Sequence, residues 1–384
     1  MTLVSPPAAA VSPCARMRQE HAFVLALFGA DGHALAEFRI TPDFMPALEW
    51  TALTGLRCDR RLSAIAATSA GCIEPIFDSV HGAPRLAAFR ARVPSPRVGV
   101  PDLEMDFHPL YFTELAQVAA SQLVNDGSLK VGDTFVFEAR AYHVDTGDQC
   151  RGGFAVEEQP HPLELLPVSI RDLAASAEAI GTPNDQDIPV FIPAETLAET
   201  AVRARAHPAE ETGGLLIGRL CRDVDSSEIA VLITAQVPAV GTAATATRLR
   251  FTPETWTAAN DAITLRRKNE LMLGWWHSHP VGAWRAMDGA AAAQPGPDRP
   301  GGDEGKIRTV ARSSGGKVSG FFSASDAHVH RSVFGRAYQT ALVVTDAAED
   351  GLDWTLFGWR WGLLVSRGFH VLRGGDESCR TGGD

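Results

Sequence analysis

A run of apolar residues, Leu271-Met272-Leu273-Gly274-Trp275-Trp276, passes without a break into His277-Ser278-His279-Pro280. Six such residues in a row describe a buried strand, and proline ends its hydrogen bonding. In a strand, residues i and i+2 point to one face. Two imidazoles therefore stand side by side at the strand's end. That arrangement suits two ligands of one metal ion. A catalytic zinc asks for about three protein ligands and one open position. The chain must then supply a third ligand and a base.

The neighbouring sequence supplies candidates. Asp326 lies in Ser323-Ala324-Ser325-Asp326, which reads as a helix start, and a carboxylate is a good oxygen ligand for zinc. The same four residues also fit a capping box, which would hold such a ligand still. His328 and His330 are rival ligands, read as surface positions of that helix. Glu211 sits in Glu210-Glu211-Thr212-Gly213-Gly214, between a helix end and a strand start. Glu210 competes with it for the role of base. Trp275 and Trp276 read as core and cleft wall. Taken alone, His277 and His279 also fit strand-end residues bonded to backbone.

Around these residues the chain alternates helix and strand signals. Ile192-Pro193 opens a helix that His207-Pro208 stops. Residues 212–220 and 228–237 read as strands. Thr252 caps a second helix that reaches about Asn269. Strands are expected again at Tyr338–Thr345 and Trp354–Trp361. Residues 281–322 break this rhythm: 42 residues with nine glycines and three prolines, most of them read as a flexible insertion over about 281–320.

Glu211-Thr212-Gly213-Gly214, then His277-Ser278-His279-Pro280, then Ser323-x-x-Asp326 together resemble the JAMM (JAB1/MPN/Mov34) metalloprotease family, in its prokaryotic JAB-type form. The order of elements over about 188–365 agrees. The resemblance implies a cytidine-deaminase-like MPN domain, a mixed sheet flanked by helices, of α/β or α+β class. It implies Zn2+ held by His277, His279 and Asp326. It gives Glu211 the part of the base, and Ser323 the part of a hydrogen-bond donor to the substrate oxyanion. The expected activity is that of a zinc-dependent isopeptidase or peptidase, cutting after the tail of a ubiquitin-like or sulfur-carrier-like protein, with E1- and E2-like proteins as possible pathway partners. A non-catalytic MPN scaffold is the alternative. The chain departs from the family in the 42 residues between HxHP and SxxD, where members usually have few.

Other metal hydrolases fit less well. A zinc deaminase needs a CxxC and a zincin needs HExxH, and neither occurs. The balance of 35 basic and 46 acidic residues, net −11, argues against nucleic acid and anionic membrane as partners. Six scattered cysteines suggest reduced thiols, and residues 1–16 read as a loose tail lacking a leader's continuous apolar core. A cytoplasmic protein is expected.

Upstream of the JAMM-like domain, assigned to 188–372, a separate α+β domain is expected over 17–180. Its signals are a hairpin at 21–40 around Gly29-Ala30-Asp31-Gly32, strands at Leu62–Ala67, Leu86–Val93 and Thr134–Val144, and a helix over 111–124. It carries no catalytic signature. The end, 373–384, reads as a loose tail. Leu372-Arg373-Gly374-Gly375 matches a ubiquitin-like terminus in a chain where arginine and glycine are frequent.

Overall fold

The computed structural model describes residues 21–80, 83–143, 161–240, 251–283, 320–348 and 351–373. Contacts divide the chain into two units: residues 1–55 with 64–162, and residues 56–63 with 163–384. Most of the expected insertion, the two tails and the Gly374-Gly375 dipeptide lie outside the described residues.

In the first unit, β1 (His21–Gly29) pairs with both β2 (Ala34–Ile40) and β7 (Phe135–His143). The expected hairpin is present, its turn closed by Gly32 at φ 83°. A second sheet joins β4 (Cys72–Val80), β5 (Ala83–Val93) and β6 (Leu103–Phe107). Helix α1 spans Met45–Cys58 and α2 spans Thr113–Asn125. The strand expected at Leu62–Ala67 shrinks to β3 (Ala64–Ile65), which pairs with β8 (His161–Pro162).

The second unit is built on one mixed sheet. Its order is β10 (Ala177–Ile180), β18 (Phe369–Leu372), β11 (Val190–Pro193), β13 (Ile229–Pro238), β12 (Gly213–Asp223), β14 (Leu271–His279), β15 (Thr340–Ala348), β16 (Gly351–Arg360) and β17 (Leu363–Arg367). Strand β9 (Leu165–Val168) also pairs with β12. The boundary expected near 181–187 therefore falls inside this unit, because β9 and β10 contribute strands to its sheet. Residues of β12 are buried over almost their whole length, which is why the sequence there shows a continuous apolar run and no alternation.

Three helices matter to the site: α4 (Ala194–Ala206), α5 (Pro253–Arg266) and α6 (Ala324–Val333), with α3 (Ile170–Ala175) between β9 and β10. Ile192 and Pro193 close β11 rather than open the helix, and Pro193 stands at the N-cap position. Thr252 holds the N-cap position of α5 without capping it, since its hydroxyl donates to the Val240 carbonyl. That helix stops before Asn269, where Arg267 turns left-handed at φ 51°. No helix among the described residues is long and apolar enough to cross a membrane.

One irregularity aims the site. Across β12 and β14, Leu216 faces Gly274 while Ile217 faces Met272, so Leu273 is an extra residue in β14. Such bulges rotate the strand beyond them. Gly274 follows directly, and a Cβ there would lie 1.9 Å from the Thr340 carbonyl oxygen. Only glycine lets β15 approach in parallel at this point. Beyond it, residues 275, 277 and 279 share one face and 276 and 278 the other.

Candidate metal centre

Strand β14 carries His277 and His279 to its C-terminal end, both buried. Helix α6 begins beside them. Its cap is reciprocal: the Asp326 amide donates to Ser323 Oγ at 3.1 Å, and the Ser323 amide donates to Asp326 Oδ2 at 2.8 Å. That capping box fixes the carboxylate at the helix's first turn. Asp326 Oδ2 then lies 3.5 Å from His277 Nε2 and 3.8 Å from His279 Nε2. The two Nε2 atoms are 2.9 Å apart.

This donor set fits zinc. One ligand atom from each residue lies within 4.8 Å of the others. Four ligands at about 2.0–2.2 Å in a tetrahedron are separated by edges of about 3.3 Å, close to the distances found. Two imidazole nitrogens 2.9 Å apart cannot both carry protons. With one of them protonated they share a hydrogen bond, and with neither protonated their lone pairs face each other, the arrangement that a bound cation would satisfy.

The electrostatics agree. Burial is the largest influence on Asp326 and favours its neutral form, yet the two imidazoles hold it well below the usual carboxylate range. Burial pushes His279 down to about 4, toward the neutral form that ligates a metal. At His277 burial also opposes charge, but Asp326 and Glu211 together raise its proton affinity. A cation at this point is thus drawn by at least two carboxylates.

Glu211 arrives through β12. Gly213 faces His277, Ser278 donates its amide to the Thr212 carbonyl at 2.7 Å, and Thr212 donates its own to Ser278 Oγ at 3.0 Å. Glu211 lies two residues before Gly213 and is near enough to His277 to raise its proton affinity. Glu211 is 5% exposed, whereas Glu210 is exposed to solvent. Trp275 stacks on His277 at 4.6 Å and 13°, and Phe321 lies 4.6 Å from the His279 ring. Trp276 is fully buried on the opposite face, donating to Gln236 Oε1 at 3.2 Å.

Two features escaped the sequence. His330, expected at the surface, is fully buried, while His328 is exposed. The physical reason is spacing: His330 is four residues after Asp326, so it shares that residue's inward face of α6. Asp346, on β15, accepts the amides of Val281 at 2.6 Å and Gly282 at 3.3 Å, pinning the chain just past the histidines.

Residues 193–293 match the family model described as prokaryotic homologs of the JAB domain. The second unit carries a prokaryotic JAB-type domain. The match takes in α4, Glu211 and the His277–His279 strand, and ends before Ser323 and Asp326. The JAB-type domain thus includes two of the three converging residues, and the fold adds the third. No curated protein matches the chain. A solved structure, protein DSY2949 from Desulfitobacterium hafniense, is 17% identical over 49% of this chain and 94% of its own length, with a TM-score of 0.28.

Proposed function

We propose that the JAB-type domain is a zinc-dependent peptidase or isopeptidase. Its substrate would be a bond that follows the C-terminal tail of a ubiquitin-like or sulfur-carrier-like protein. The observation that carries this reading is the convergence of His277, His279 and Asp326 with buried Glu211 alongside. His277, His279 and Asp326 would hold the ion. When bound, zinc lowers the pKa of a ligand water from 15.7 to about 7 and polarises a carbonyl.

The chain's own groups do the rest. Glu211 takes the proton of the attacking water as its oxygen bonds to the substrate carbonyl carbon. It returns that proton to the leaving nitrogen as the C–N bond breaks, and water's second proton follows to the amine, giving a carboxylate and an ammonium. Positioned proton transfer of this kind contributes roughly 10²- to 10⁴-fold. The Ser323 hydroxyl accepts the Asp326 amide in the helix cap, which leaves its own proton available for the developing oxyanion. Phe321, Phe322 and Trp275 wall the imidazoles and limit water on that side. Lower local polarity strengthens each of these interactions.

The test pairs metal analysis with cleavage of a reporter joined through a Gly-Gly tail. The proposal expects zinc in the purified protein and cleavage that Glu211→Gln removes while zinc stays. Zinc uptake without cleavage of any such reporter would favour the non-catalytic MPN scaffold.

A further inference from the structure

A metal-ligating histidine almost always donates its second ring nitrogen to a carboxylate, carbonyl or water, which fixes the ring's orientation. His277 lacks that device: among the described residues its Nδ1 has no hydrogen-bond partner. Stacking supplies a hold on the ring. The Trp275 indole lies nearly parallel to it, 13° between planes at 4.6 Å. Trp275 is held in turn, because its Nε1–H donates to His330 Nδ1 at 3.1 Å. His330 is wedged among Trp359 at 5.4 Å, Phe334 at 5.9 Å and Phe322 at 6.1 Å.

The spacings explain why these groups meet. Strand residues two apart are separated by about 6.7 Å. Helix residues four apart are separated by about 6 Å along the axis. Trp275 and His277 on β14 therefore match His330 and Asp326 on α6, rung for rung. One rung is the metal site. The other is a buried indole-to-imidazole hydrogen bond, whose loss would let the helix shift along the strand.

We propose that the Trp275–His330 pair positions the metal centre: it holds the His277 ring through the stack and keeps Asp326 in register with both histidines. This rests on the zinc reading above. An indole only donates, so His330 must accept at Nδ1. An asparagine at position 330 can place an acceptor oxygen near that atom, and leucine cannot.

The experiment uses the full chain, stripped of metal and titrated with Zn2+ against a chromophoric chelator, then with Co2+ to read the visible bands of its ligand field. His330→Leu is expected to weaken Zn2+ binding roughly 10- to 100-fold, as loss of an outer partner typically does, and to alter the Co2+ bands. His330→Asn is expected to restore both. Wild-type affinity and bands in His330→Leu would overturn the proposal, as would a folded His330→Asn no better than leucine. If His330→Leu does not fold, Trp275→Phe decides: it keeps a ring over His277 but has no N–H. Weaker binding and altered bands support the pair, and unchanged values overturn it. A wild-type chain that takes up neither metal would sink the zinc reading itself, whereas a metal-binding wild type with indifferent variants sinks only the pair.

Discussion

The second unit buries two clusters of titratable groups, and they differ in completeness. In one, Asp187 meets Arg360 through two bonds of 2.6 Å, with Arg367 Nε at 3.5 Å. Arg367 also donates to the Ile188 and Trp359 carbonyls. One carboxylate there faces two guanidiniums, and the cluster ties β16 and β17 to the segment that leads into β11. In the other, two imidazole nitrogens face each other and one carboxylate, with Glu211 adding negative charge. Removing charges from water costs several kcal/mol per ion unless partners compensate. The first cluster pairs Asp187 with Arg360 and rests Arg367 on the Ile188 and Trp359 carbonyls. The second balances around a positive charge, a shared proton or a metal cation. A buried carboxylate already paired with guanidiniums reads as structure, and one grouped with two facing imidazole nitrogens reads as a metal site.

Variants should separate the two clusters. The largest effect is expected from His277→Ala or His279→Ala, which should abolish zinc uptake and cleavage while the fold survives, as seen by calorimetry and metal analysis. Loss of metal from Asp187→Ala would instead blur the distinction. Next, Glu211→Gln should lower kcat about 10²- to 10⁴-fold with zinc content unchanged. Asp187→Asn should leave metal binding intact and cost about 3–5 kcal/mol of stability, because Arg360 and Arg367 lose their counter-charge. Denaturant unfolding would measure it.

A smaller effect concerns pH. Burial pushes His330 from the ordinary 6.5 down to about 3. Its folded form thus binds its proton later than the unfolded chain does. The stability tied to its neutral state is complete above pH about 6.5 and drains as the pH falls toward 3. His330→Asn should flatten that part of the stability curve. An unchanged slope would mean that another group dominates it.

The HxHP strand end and the SxxD helix start were legible because each rests on a local rule: alternation in a strand and capping of a helix. The order of helices and strands from α4 to β16 was legible for the same reason. Helix α1 was not. It is buried on nearly every side, and Pro46 and Gly55 within it weaken the helix signal. Strand β4 hid behind Pro75. The bulge at Leu273 depends on β12, a partner distant in the chain, and no local pattern announces it, whereas the burial of His330 follows from its i+4 spacing from Asp326.

The central claim is that His277, His279 and Asp326 grip one divalent ion. Elemental analysis of the purified full chain, beside the His277→Ala/His279→Ala double variant, tests it most directly. The account predicts about one zinc per wild-type chain and essentially none in the variant. A wild type without bound metal, or a variant that retains as much as wild type, would contradict it.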